Sequence, residues 1–125
     1  MKKLKTKTKQ ARKQRKYLAT APLHIKQKLV HAHLSKELRE KHNKRSLGLK
    51  KGDKVKIMRG QFKKISGNVE KIDLKKGKAI VTGIEMTKKD GSKVNYPLNV
   101  SNLMITELNL EDKKRKNILE RKQNE

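Results

Sequence analysis

The sequence predicts a mainly-β fold: a small barrel with a basic, extended N-terminal arm, a short helix before the barrel and a C-terminal helix. Three observations carry this. Hydrophobic residues concentrate in the middle of the 125-residue chain, making up 22 of the 61 residues in 47–107, 14 of the first 46 and 4 of the last 18. Inside that middle segment apolar and polar residues alternate with a period of two, the signature of half-buried strands. Charge runs the other way, with sixteen Lys/Arg and two acids in 1–46, fourteen and six in 47–107, and six and four in 108–125. The chain therefore divides into a basic extension (1–46), a β-rich core (47–107) and a charged tail (108–125).

Met1 to Lys16 holds nine Lys/Arg and no acid. Only Leu4 and Ala11 interrupt its polar run, so self-repulsion predicts an extended arm until an anion neutralises it. Between Tyr17 and Val30 the Ala21-Pro22 pair blocks helix at Ala21 and predicts an extended crossing. A short helix is expected near 35–43, with Ser35 capping its N–H groups, Glu37 in the first turn, Lys41 and His42 in the last, and Asn43 as the stop.

Val55 and Ile57 alternate with Lys54 and Lys56 and predict the first barrel strand. A second covers Asn68–Leu74, where Val69 is out of phase with Ile72 and Leu74 and a bulge would reconcile them. Ala79–Val81 follows the turn Lys75-Lys76-Gly77. Ile84–Lys88 and Lys93–Leu98 flank Lys89-Asp90-Gly91-Ser92, a hairpin signal because Asp-Gly tolerates positive φ. Leu103–Glu107 is the last strand. Five or six short strands in about 60 residues suggest a barrel that closes its edges rather than an open sheet. Asn109-Leu110-Glu111-Asp112 reads as a capping signature, with Asp112 at the third helical position of a helix over Leu110–Lys122. Its apolar residues, Leu110, Ile118 and Leu119, allow a narrow packed stripe.

Composition excludes several functions. The formal charge is +24 with one Phe, two Tyr, no Trp and no Cys. Such an excess of cations suits a polyanionic partner, and the absent thiols exclude disulfides, Cys-based zinc sites and Cys nucleophiles. No apolar run approaches the roughly 18 residues of a membrane span. No apolar stretch follows the basic start as in a secretory signal, so this segment is read as part of the working protein, with an Arg-rich transit peptide as the competing reading. His31-Ala32-His33 offers two imidazoles without a nearby Cys or carboxylate, a poor metal set. The acids Asp53, Glu70, Asp73, Glu85, Asp90 and Glu107 are scattered, mostly beside a Lys, which reads as local charge balance and not as a catalytic pair. No enzyme, cofactor, metal, membrane insertion or small-molecule substrate is expected.

The segment from Lys51-Gly52-Asp53 through Arg59-Gly60-Gln61-Phe62-Lys63-Lys64-Ile65-Ser66-Gly67 to Ile72 resembles the KOW motif, a strand, a basic loop and a second strand found on SH3-like barrels of ribosomal and transcription-elongation proteins. Gly60 and Gly67 are the expected structural glycines, letting the backbone turn sharply and approach a ligand. Lys64 departs from the motif, where a glycine usually follows the lysine. Three further stretches extend the resemblance over nearly the whole chain: Ala21-Pro22-Leu23-His24; Leu34-Ser35-Lys36-Glu37-Leu38-Arg39 with Arg45-Ser46; and Ser101-Asn102-Leu103-Met104-Ile105 with Leu110-Glu111-Asp112-Lys113-Lys114-Arg115-Lys116. Together they are similar to the archaeal and eukaryotic form of the large-subunit ribosomal protein family numbered twenty-four. Departures fall at His33, Gly48 and Asn99-Val100.

The resemblance implies a cytoplasmic structural protein of the large ribosomal subunit. It would bind large-subunit ribosomal RNA near the 5′ domain, assist assembly, and sit near the polypeptide exit among neighbouring ribosomal proteins and exit-site factors. A KOW-type transcription-elongation factor, or another RNA-binding factor, is the alternative. A third reading, a cationic membrane-surface protein, lacks the broad apolar helix face it would need. Candidate RNA contacts are the arm (Lys2, Lys3, Lys5, Lys7, Lys9, Arg12, Lys13, Arg15, Lys16), the crossing (His24, Lys26, Lys28), the barrel entrance (Arg45, Lys50, Lys51) and the KOW loop (Arg59, Lys63, Lys64). Arg12, Arg15 and Arg59 stand out because a guanidinium fork binds phosphate bidentately and stacks on bases. Tyr17, Phe62 and Tyr96 are the few stacking candidates, the last two expected to pack against the barrel instead.

Overall fold

The structure, a computed structural model, describes residues 7–121. Lys2, Lys3 and Lys5, and the expected last residue of the C-terminal helix, Lys122, lie outside the described residues. The order is α1 (Ala11–Thr20), α2 (Leu23–Leu29), β1 (His31–Leu34), α3 (Lys36–His42), β2 (Ser46–Gly48), β3 (Lys54–Ile57), β4 (Ser66–Asp73), β5 (Lys78–Val81), β6 (Glu85–Thr87), β7 (Lys93–Asn95), β8 (Leu98–Asn99), a 3-10 turn (Val100–Asn102), β9 (Leu103–Glu107) and α4 (Lys113–Glu120).

Seven strands form one sheet in the order β2-β1-β9-β3-β4-β5-β8. Every pairing is antiparallel except β1 with β9. The alternation of β3 is as expected: Val55 and Ile57 are buried while Lys54 is exposed and Lys56 half-buried. Leu103 and Ile105 of β9 point into the same core. The bulge in β4 is present, a register shift between Val69 and Lys71 opposite β5, and it lets Val69, Ile72 and Leu74 all face the core cluster. The hairpin expected around Asp90-Gly91 forms as the separate pair β6–β7, with Gly91 at φ +88 and Asp90 accepting from the backbone N–H and hydroxyl of Ser92.

Four expectations are corrected. The arm is not extended throughout: α1 runs from Ala11 to Thr20 with no buried residue and no side-chain cap. Its Ala, Arg, Lys, Gln and Leu are strong helix formers, so propensity overrides a missing apolar stripe. Ala21-Pro22 does break the chain, but the extended crossing is only these two residues, since α2 begins at Leu23 directly after Pro22. The core reaches upstream of residue 47, because Val30, Ala32 and Leu34 are buried and β1 inserts beside β9. The sheet does not close its edges: β2 and β8 end it unpaired, and three and two residues long respectively they are too short to template further strands.

The two flanking helices show one expected cap and one displaced cap. Ser35 accepts from the Leu38 N–H and Asn43 closes α3 in the left-handed region at φ 51, as anticipated. The C-terminal helix starts later than expected, with Asp112 itself as the cap accepting from the Lys114 N–H, while the Asn109 side chain accepts from the Glu111 N–H in a turn before it.

The tail is held by an ion pair that no local sequence signal announces. The buried Asp53 carboxylate receives both terminal nitrogens of the buried Arg115 guanidinium, at 2.6 and 2.5 Å, and backbone N–H groups of Lys50 and Asn109 at 3.0 and 2.9 Å. Arg115 also donates to the carbonyls of Asn109 and Gly48. Asp53 is thus no local charge balance for its neighbouring lysines; it joins the loop entering β3 to α4.

Candidate nucleic-acid interface

The KOW loop, Met58–Ile65, is tied at both ends. The Ile57 N–H donates to the Ile65 carbonyl at 2.9 Å and the Lys64 N–H to the Ile57 carbonyl at 2.8 Å, closing the loop at its base. The Met58 N–H donates to the Asn102 carbonyl at 2.9 Å, fixing the loop to the 3-10 turn. Phe62 packs against the core and meets Tyr96 with ring centroids 5.2 Å apart, so these two aromatics do pack against the β core as expected. With the loop anchored from below, Arg59, Gly60, Lys63 and Lys64 are left exposed.

The two motif glycines differ in their reasons. Gly60 has φ +96 with open space where a Cβ would be, so it serves the turn. Gly67 does not have a positive φ; a Cβ there would stand 2.6 Å from the Thr82 carbonyl oxygen and 2.8 Å from Val81 Cγ1. Its role is close packing of β4 on the end of β5, a correction to the sharp turn expected of it. Lys64, where the motif has glycine, adopts φ 74 and keeps the left-handed turn despite its side chain.

The remaining candidates fall into two groups. On α1, Arg12, Lys13, Arg15 and Lys16 are all exposed, with Lys7 and Lys9 exposed just before it. A groove of about 990 Å³ between α2, the loop before β3 and α4 brings His24 and Lys28 together with Lys50 and Lys51, and adds His31 and Lys114, which are not among the residues expected from sequence. Arg45 is exposed in the turn before β2 and does not line this groove.

Two candidates have intramolecular tasks. Lys26 Nζ donates to the Ala19 carbonyl at 3.1 Å, satisfying the last turn of α1, and reaches the Lys75 carbonyl at 3.5 Å. Lys50 pairs with Asp112. The KOW-loop and α1 cations have no hydrogen bond or ion pair to another side chain among the described residues.

Three of the four histidines are set in β1 and α3. His31 and His33 lie on the face of β1 opposite the buried Ala32 and Leu34, so their spacing is strand alternation. Burial, then Lys44, lowers the pKa of His31 from its usual 6.5, and burial with Lys41 and Lys44 lowers that of His42. Among the described residues no three His, Cys, Asp or Glu side chains gather closely enough to hold a metal ion. No helix of the described residues is long and apolar enough to cross a membrane.

A second, smaller cavity of about 180 Å³ opens beside the KOW loop, lined by Arg59, Gly60, Gln61 and Phe62 on one side and by Lys78 and Tyr96–Asn99 with Asn102 on the other. Of these only Arg59 and Gly60 are site residues expected from sequence. Gln61 and Phe62 belong to the same loop, whereas Lys78, Leu98, Asn99 and Asn102 are brought there by the β5–β8 pairing and the 3-10 turn, contacts between residues far apart in the chain.

The family described as ribosomal proteins L26 in eukaryotes and L24 in archaea matches residues 8–122. The large ribosomal subunit protein uL24 of Methanosphaera stadtmanae is 47% identical over 115 residues, covering 92% of this chain and 98% of that protein. The chain belongs to the family of ribosomal proteins that comprises eukaryotic L26 and archaeal L24.

Proposed function

We propose that this chain is a structural, non-enzymatic protein of the large ribosomal subunit that binds large-subunit rRNA, the sheet fixing its orientation while α1 and the KOW loop engage phosphates. Neighbouring ribosomal proteins are its protein partners, and the cytoplasmic large subunit is its place. The observation that carries the reading is the family match over residues 8–122 joined to two exposed cationic elements. An anchored basic loop positions a protein on an RNA backbone. A helix bearing four cations in ten residues, unsupported by any buried side chain, gains most from a polyanion that cancels its self-repulsion. Assistance to subunit assembly and a position near the polypeptide exit, open to exit-site factors, belong to the same proposal.

The test is sedimentation. In a lysate separated on a sucrose gradient in high salt, immunoblotting finds the protein with the large subunit. Recovery at the top of the gradient, or with RNA polymerase, contradicts the proposal.

A further inference from the structure

We propose that the small cavity beside the KOW loop receives one unpaired base of the bound RNA, so that this face reads an extruded nucleotide as well as the sugar-phosphate backbone. This rests on the rRNA reading above and assigns it a specific site. The cavity measures about 180 Å³. That is below the roughly 300 Å³ at which sites for whole small molecules begin, and suits a single planar group.

Its walls have the chemistry of a base. Phe62 and Tyr96 are tilted by 53° and so do not close face to face, and Pro97 and buried Leu98 continue the apolar side. Three amides, Gln61, Asn99 and Asn102, line the same space, and none of these side chains has a hydrogen-bond partner among the described residues. An amide offers donors and an acceptor together, as a base edge requires. Arg59 and Lys78 line it with no acid, which disfavours a cationic occupant and suits the phosphates flanking an extruded nucleotide. Recognition of RNA by sequence uses such splayed bases, stacked on aromatic rings and hydrogen-bonded at their edges.

The frame is rigid enough to select. The Asn102 carbonyl holds the KOW loop through the Met58 N–H, and Leu98 is registered against Ala79 in the sheet. Without this cavity the interface is electrostatic and blind to sequence.

The test uses the full chain, a transcript of large-subunit rRNA, and the variants Asn99→Ala/Asn102→Ala and Tyr96→Leu, each checked for wild-type melting by circular dichroism. Hydroxyl-radical cleavage reports backbone contacts and chemical probing of Watson–Crick edges reports bases. The wild type is expected to protect an unpaired base next to its backbone footprint. The amide double variant loses that base protection and keeps the backbone footprint and the salt dependence. Tyr96→Leu loses the same protection and binds about tenfold to a hundredfold more weakly, the range of one stacked base.

Base protection that persists in both variants overturns the proposal, as does a wild-type backbone footprint with no protected unpaired base. Absence of either footprint overturns the rRNA reading itself. Free nucleoside monophosphates are expected not to bind saturably at micromolar concentration; saturable binding would make the cavity a nucleotide site and overturn the assignment to RNA.

Discussion

At the entry to β3, Asp53 and Arg115 are buried and bidentate, with Asp53 accepting further from the N–H groups of Lys50 and Asn109 and Arg115 donating to the Gly48 carbonyl, and the nearby Lys50 is paired with Asp112. At its exit, four residues of strand later, Arg59, Lys63 and Lys64 are exposed with no acidic partner among the described residues. The same residue types are structure at one end and surplus at the other. Lys50, Lys54 and Arg115 are matched by acids, whereas the seven cations of the KOW loop and α1 have no such partner among the described residues.

The comparison breaks hardest at the entry. Asp53→Ala leaves the Arg115 guanidinium buried without its counter-charge, which costs about 3–5 kcal/mol. In a domain stable by roughly 5–15 kcal/mol the melting temperature should collapse, while the salt slope of RNA binding, measured where the variant is still folded, stays at its wild-type value. Wild-type melting would mean the pair is not the link between α4 and the sheet.

Next in size is Gly67→Val. Its side chain would enter space held by the Thr82 carbonyl and Val81, and overpacking of this kind costs about 1–3 kcal/mol. Chemical denaturation reads the loss as a lower midpoint. An unchanged midpoint would show that β4 and β5 can separate freely at this position.

Smallest and of opposite sign is Lys64→Gly. Relief of a left-handed non-glycine residue returns about 1–2 kcal/mol, and the greater freedom of glycine in the unfolded chain takes back about 0.4–1 kcal/mol. The variant should be more stable by up to about 1.6 kcal/mol and bind RNA with a slightly flatter salt slope. Retention of a lysine at a strained position, with stability lost and binding gained, is the trade expected of a contact residue. A less stable Lys64→Gly protein would contradict it.

Local signals carry much of the fold. Val55 and Ile57 with their intervening lysines, Ser35 and Asn43 around α3, the Asp90-Gly91 turn and the phase slip at Val69 each report a constraint satisfied within a few residues. What is not legible depends on distant partners. The alternation of His31 and His33 with Ala32 and Leu34 is too short to announce β1 by itself; Met104 and Ile105 beside it make the segment a strand. Asp53 looks like its neighbouring acids until Arg115, 62 residues away, is brought to it. Gly67 is marked by the motif, but the motif carries no sign of its packing against Thr82. Amphipathic periodicity cannot find α1, a helix that buries nothing and rests on propensity. The KOW-loop cations are legible as a cluster, whereas the amides of Asn99 and Asn102 beside them come from the pairing of β5 with β8 and from the 3-10 turn that follows it.

The central claim is that exposed cations on α1 and the KOW loop meet RNA phosphates, and the most direct measurement is the salt dependence of rRNA affinity. Comparing the full chain with its Arg12→Gln/Lys13→Gln/Arg15→Gln/Lys16→Gln variant, the account predicts unchanged melting and a log–log slope flatter by about 0.7–0.9 for each phosphate the variant no longer neutralises, roughly 3 for the four residues. A variant with the wild-type slope and wild-type affinity would contradict it.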